Sequence, residues 1–366
     1  METPGHPDDL TADWLTDTLR KTGVLMQARV TARTIQDLGT EKGMTGQIIR
    51  MRLDYDRFET DAPRSLIAKF SSPDLQAREV IHAMGFYERE VRFYEQLAAR
   101  SPLWTPRCYF SAIDLNSGAS LLLLEDLAPA RNGSWVAGCS VDEAELVVRT
   151  IAPFHAVWWQ HAELEEKSWL TLRGGLSPEH APEIFHLTWT PFLGTLGTHV
   201  TAEILQIGEW LEQYLGRLSV HMYQEPPCTL IHNDYHADNL FFAGTGATRA
   251  MAVADWQFTT RGRGVLDVAS FLGGSLESRD RRAHEMRLLQ IYHTLLMENG
   301  VADYQLDQCL DDYRLAMLQP IARLAAVLGS GAVRREQQRG FRDVLMPRYC
   351  RAVHDLDVAD VLQGFC

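Results

Sequence analysis

Three oxygen-donor side chains stand in two short polar segments flanked by apolar, strand-like runs. Asp234 and Asn239 lie five residues apart in TLIHNDYHADNLFF (229–242), and Asp255 follows an apolar run in MAVADWQF (251–258). A magnesium ion takes hard oxygen ligands in near-octahedral geometry, and one carboxylate plus one amide oxygen beside phosphate oxygens suits it, so Asn239 and Asp255 fit that task. A phosphoryl transfer also needs a carboxylate that accepts or orients the proton of the attacking hydroxyl. Asp234 can do this while Asn239 stays uncharged beside it; a second carboxylate at 239 would add repulsion. The pattern predicts that the three side chains converge around a divalent ion and a triphosphate.

Such groups need a scaffold. Thr11 caps a short predicted helix containing Trp14, Leu15 and Leu19 that ends near Gly23, read as a lid or leader element. Strand-like runs follow: VTARTIQDL, QIIRMRLDY, SLIAKF, RCYFSAIDL and SLLLLEDL. Residues 77 to 99 read as one amphipathic helix. Beyond a boundary near Asp126 the pattern is predominantly helical. Ser140 and Glu143 form a capping box for a helix carrying Val147, Ile151, Phe154 and Trp158 on one face, which Pro153 should kink. A further helix spans about 278 to 298, with Met286, Leu289 and Leu296 as core candidates and Asn299-Gly300 as its stop. The predicted organisation is a sheet-rich N-lobe over 1–125 and a helical C-lobe over 126–366.

The stretch His232-Asn-Asp234-x-x-x-x-Asn239, followed by Asp255-Trp-Gln, resembles the catalytic and metal-binding loops of the aminoglycoside phosphotransferase-like small-molecule kinases. It looks most like the ecdysteroid-kinase-like branch, with choline kinases more distant. Other elements occur in the family's order from about residue 35 to 275. Lys69 in SLIAKF resembles the lysine that grips the α- and β-phosphates, and Glu90 in FYEREVRFY stands where its partner glutamate lies. The glycine-containing loop GTEKGMTG, with Gly43, Thr45 and Gly46, would let backbone N–H groups approach phosphate. Glu125 and Leu127 would flank the backbone that pairs with adenine, and Asp267 matches the aspartate that braces the catalytic loop. The resemblance implies an α+β, two-lobed protein-kinase-like fold with ATP between the lobes and Mg2+ as cofactor. It also implies Asp234 as catalytic base, Asn239 and Asp255 as metal ligands, and a small hydroxylated acceptor. The chain departs from the family with Asn233 where glycine is frequent, and with Trp256-Gln257 after the metal-binding aspartate.

Two other readings compete. His232 and His236 at i and i+4, with Asp234, Asp238 and Asp255, would suit a metallohydrolase if a helix aligned the imidazoles, but the strand-like flanks favour a loop. A kinase-like chain could also bind nucleotide without turnover.

Composition narrows the partners. The 366 residues are 46% hydrophobic and 23% charged, as in an ordinary globular protein. Lys and Arg number 35 against 48 Asp and Glu, a net charge of -13 that repels nucleic acid and anionic membrane. The same sign suits a cationic acceptor such as an aminoglycoside or amino alcohol, whereas the resemblance points to a sterol-like or otherwise apolar alcohol. Six scattered cysteines form no disulfide or zinc framework. The acidic N-terminus lacks the features of a signal peptide, and no apolar run is long enough for a membrane span, so a cytoplasmic protein is expected.

Overall fold

The computed structural model describes residues 4–38, 46–331 and 335–365, with the side chains of residues 247 and 335–337 left aside. The chain divides into two units, Met1–Ala130 with Ala252–Gln257 and Arg131–Met251 with Phe258–Cys366.

In the first unit, helix α1 (Ala12–Lys21) starts where the Thr11 hydroxyl accepts the Trp14 N–H at 3.2 Å, and the chain turns at Gly23. Five strands follow: β1 (Val30–Asp37), β2 (Gly46–Tyr55), β3 (Ser65–Ser71), β4 (Cys108–Ile113) and β5 (Ser120–Glu125). They form an antiparallel sheet in the order β1-β2-β3-β5-β4, so β3 is central. Side chains alternate across a strand. Leu66, Ala68 and Phe70 of β3 therefore share a face with Ile49 and Met51 of β2 and Leu121 and Leu123 of β5, and all join Leu15 and Leu19 of α1 in one apolar cluster. Helix α1 is thus part of this unit's core, not the expected lid or leader, because its apolar stripe meets the apolar face of the sheet. The same alternation sends Lys69 to the opposite face.

The region read as one helix over 77 to 99 is two, α2 (Leu75–Ala83) and α3 (Phe86–Gln96). The break falls at Gly85, whose φ of +79° is left-handed and favours a residue without a Cβ.

In the second unit, strand β6 (Arg131–Asn132) precedes helix α4 (Val141–Val157), which opens on the expected Ser140/Glu143 capping box. The helices Ala181–Leu196 and Ala202–Tyr223 come next. Strand β7 (Thr229–Ile231) is followed by β8 (Leu240–Ala243) and β9 (Ala250–Val253), along which the chain passes into the first unit. Returning, β10 (Thr260–Gly262) pairs antiparallel with β7, with Thr260 opposite Ile231. Helices Val265–Ser275, Ser278–Glu298, Leu306–Ala316, Leu318–Gly329 and Met346–Asp355 complete the unit's main elements. Helix Ser278–Glu298 ends before Gly300 as expected, and Leu289 and Leu296 are buried. Met286 is 46% exposed, because the buried stripe runs instead through Arg281, Glu285, Leu288, Leu289, Tyr292 and Leu296.

Cys108, Cys139, Cys228, Cys309 and Cys350 are free thiols; Cys366 lies outside the described residues. Among the described residues no helix is long and apolar enough to cross a membrane.

Because Leu15 is fully buried between α1 and the sheet, Leu15→Ala should destabilise the protein by about 2–5 kcal/mol. Denaturant unfolding checks this, and a lid residue would show almost no change.

Candidate active site

Strand β3 delivers Lys69 to the face that α3 covers. Its ammonium lies 2.7 Å from the Glu90 carboxylate and 2.6 Å from Asp255 Oδ1. Of the glutamates on α3, Glu90 is the one that faces the sheet lysine, as the sequence suggests. Burial works against the Lys69 charge, but Asp255 and Glu90 outweigh it and push its pKa above the ordinary value. Burial likewise pushes the Glu90 carboxyl up, against the pull of Lys69 and of the Trp256 N–H.

Asp255 belongs to the first unit because 252–257 is pinned there. The Val253 N–H donates to Trp104 O at 2.9 Å, and Trp256 stacks on Phe93 of α3 at 3.8 Å with planes 8° apart. Between these anchors Asp255 takes a φ of +68°, which Asp tolerates better than most residues. Its Oδ2 accepts from Gln257 Nε2 at 3.4 Å, giving the unexpected Gln257 a contact with the metal-ligand candidate.

The loop after β7 carries the second group. Asp267, wholly buried on helix Val265–Ser275, accepts the His232 N–H with Oδ2 and the Asn233 N–H with Oδ1, each at 2.7 Å. His155 of α4 places Nε2 3.2 Å from the same carboxylate and Nδ1 2.9 Å from the Tyr292 hydroxyl. Two backbone amides and an imidazole therefore hold the loop's start. Asn239 closes on its other end: Nδ2 donates to Asp234 O at 2.9 Å and to Asp234 Oδ2 at 3.3 Å, which turns the amide oxygen away from Asp234.

The Asp234 side chain is about a quarter exposed, with His236 Nε2 3.4 Å from Oδ2. Burial raises its pKa, but the His236 charge and hydrogen bond, then His232 and Arg323, outweigh that and lower it to about 2. The His236 ring stacks on Trp135 at 4.1 Å, 2° from parallel. His232 is buried, and its Nδ1 accepts the Asp234 N–H at 3.3 Å, a supporting position. Among the described residues no three His, Cys, Asp or Glu side chains are grouped to hold a metal ion, and His232 to His236 lie in no helix that would align the two imidazoles, both of which count against the metallohydrolase reading.

The remaining candidates are more scattered. Gly43 and Thr45 lie outside the described residues. Gly46 opens β2 opposite Ser71, where an added Cβ would stand 2.1 Å from Phe70 O, so sheet packing already requires glycine there. Glu125 ends β5; its N–H donates to Arg107 O at 2.8 Å and its side chain accepts the Arg107 N–H at 3.0 Å. Leu127 O accepts the Ala130 N–H at 2.8 Å, and among the described residues the Leu127 N–H makes no hydrogen bond. Sequence reasoning missed Arg323 and Tyr223, whose side chains bind Asn233 from helices 90 and 10 residues away. The one signal was Asn233 itself, a side chain where glycine is frequent.

The profile of the Ecdysteroid kinase-like family matches residues 40–302, most of the chain. The protein belongs to this family. None of the curated proteins matches its sequence. Solved structures share the fold at low identity. Choline kinase from Cryptosporidium parvum is 10% identical with a TM-score of 0.57, covering 97% of this chain and 98% of its own. A microcompartment-associated aminopropanol kinase is 14% identical with a TM-score of 0.53, covering 91% and 93%. Amicoumacin kinase, in complex with AMP-PNP, Ca2+ and Ami, is 12% identical with a TM-score of 0.52, covering 96% of each chain. This ecdysteroid kinase-like protein therefore has the α+β, two-lobed fold of small-molecule kinases.

A lowered pKa means that folding favours the ionised Asp234 carboxylate. Its contribution to stability is complete above the ordinary value of 3.8 and is lost as pH falls through about 2. Replacing His236 with alanine removes the strongest lowering influences, so a carboxyl NMR titration should find Asp234 moved up toward 3.8. An unmoved value would mean that His236 does not set this charge.

Proposed function

We propose that this protein is a phosphotransferase that moves the γ-phosphoryl group of ATP to a hydroxyl of a small molecule with the help of Mg2+. The observation that carries the reading is Lys69, half-buried and held charged between Glu90 and Asp255. A central-strand lysine without phosphate work would be expected to reach water. The complex of amicoumacin kinase with AMP-PNP and Ca2+ supports a nucleotide and a divalent ion for this fold.

The donor set fits magnesium: the Asp255 carboxylate is a hard anionic oxygen ligand, and the Asn239 amide oxygen is left available by the way its nitrogen is used. When bound, the ion would neutralise charge on the β- and γ-phosphates. Lys69 grips the α- and β-phosphates, and Glu90 keeps its ammonium aimed. On the family resemblance, Gly43, Thr45 and Gly46 would belong to the phosphate-binding segment. At the hinge, Leu127 presents an uncommitted N–H to adenine beside Glu125.

Asp234 acts on the acceptor. A carboxylate held at about pKa 2 is a poor acceptor for a hydroxyl proton in the ground state. It is a good acceptor of a hydrogen bond, so it orients the hydroxyl for in-line attack and takes the proton late, once the oxygen–phosphorus bond is forming. In a loose transition state such positioning supplies most of the catalysis.

Asp234→Asn keeps the shape and removes the charge, so it should lower kcat by roughly 10²–10⁴ while leaving ATP affinity within a few-fold. The check is ADP release over a panel of hydroxylated acceptors, with nucleotide binding measured by calorimetry. A wild-type chain that binds ATP yet phosphorylates no acceptor would establish a silent nucleotide-binding module instead.

A further inference from the structure

The residue before Asp234 carries a backbone problem. Asn233 has a φ of +65° and is nearly fully buried. Asparagine visits this left-handed region more readily than most residues, but less freely than glycine. The Asn233 side chain also brings polar atoms into the interior that need partners.

Helix Leu318–Gly329 supplies them. Arg323 Nη1 donates to the Asn233 carbonyl oxygen and Nη2 to Asn233 Oδ1. Nη2 also donates to the Tyr223 hydroxyl at 2.9 Å, and that hydroxyl donates to Asn233 Oδ1 at 3.1 Å. One guanidinium thus takes both oxygens of Asn233 in a fork that a point charge could not reproduce. On the other side of the same residue, Asp267 accepts its N–H. Asn233 is held from both ends of its backbone, and the next residue is Asp234. Arg323 lies beyond residue 302, where the family match stops.

We propose that Arg323 is a positioning residue for the phosphoryl-transfer reaction, acting through Asn233 to hold the left-handed turn that aims the Asp234 carboxylate. The inference rests on the phosphotransferase reading and adds to it a residue from the C-terminal helices. Glycine at 233 would hold the turn by its own backbone freedom; asparagine holds it with the help of a cation 90 residues later. Arg323 and Asn233 are therefore coupled, and the side chain at 233 sets how much the enzyme needs the arginine.

The test compares wild type, Arg323→Ala, Arg323→Lys, Asn233→Gly and the Arg323→Ala/Asn233→Gly double variant. Two measurements are made: amide hydrogen exchange of the 232–235 peptide, and steady-state kinetics with the best acceptor found. Arg323→Ala should speed exchange of that peptide at least several-fold with exchange elsewhere unchanged. It should also lower kcat by roughly 10–100-fold at nearly constant KM for ATP, the scale expected of a misplaced catalytic group. Lysine should recover only part of the loss, and the alanine effect should shrink in the Asn233→Gly background. Unchanged exchange at 232–235, or losses that simply add in the double variant, would overturn the clamp. If wild type transfers phosphate to no acceptor, the phosphotransferase reading fails by itself, and the exchange data still decide whether Arg323 holds the turn.

Discussion

A buried carboxylate organises the second unit. An ionised aspartate removed from water without partners costs several kcal/mol, so the chain around Asp267 must bring donors to it. It brings the two consecutive amides of His232 and Asn233 and the imidazole of His155. His155 in turn is tied through Tyr292 to helix Ser278–Glu298, and its own carbonyl accepts the Thr229 hydroxyl at 2.6 Å at the start of β7. One buried carboxylate and its partners thereby tie α4, helix Ser278–Glu298, β7 and the loop bearing Asp234 to one another. The loop can be irregular and functional because the buried elements beneath it have no freedom to drift.

In the first unit the corresponding constraint is the two-residue period of β3. Burying Leu66, Ala68 and Phe70 against α1 obliges Lys69 to point the other way, into a half-buried setting where an unpaired ammonium would be costly. Glu90 and Asp255 satisfy it. The apolar alternation that builds the core also aims the charged group.

What was legible in the sequence follows from this. The five strands, the Ser140/Glu143 cap, helix Ser278–Glu298 and the family's motif order are all set by local periodicity and spacing, and the fold they imply is the fold observed. The pairing of Lys69 with Glu90 came from the family resemblance and the F-Y spacing, since Glu88 and Glu95 lie on the same helix and local periodicity did not choose among them. The division into α2 and α3 was missed because one amphipathic pattern was read through the uncharged stretch Val80–Tyr87, where Gly85 takes a left-handed φ and breaks the helix. Met286 was misplaced because the buried stripe of its helix is partly ionic: Arg281 and Glu285 pair at 2.6 Å inside the protein, so hydrophobicity alone points to the wrong face. Arg323 left no local trace, since its partners are 90 and 100 residues distant.

The Trp256-Gln257 departure from the family pattern finds its explanation in α3. Glu90 and Phe93 are three residues apart and project from one face of that helix. Glu90 reaches Lys69 and the Trp256 N–H, while Phe93 lies flat against the Trp256 indole, which is fully buried and donates Nε1–H to Val253 O at 3.2 Å. Indole offers a larger stacking surface than a phenyl ring and a donor that can be satisfied within its own turn. Helix α3 is therefore attached to the Asp255 segment by a charge, a backbone hydrogen bond and a ring stack together. Swinging α3 outward would break all three at once and strand the Lys69 ammonium with half its neutralising charge.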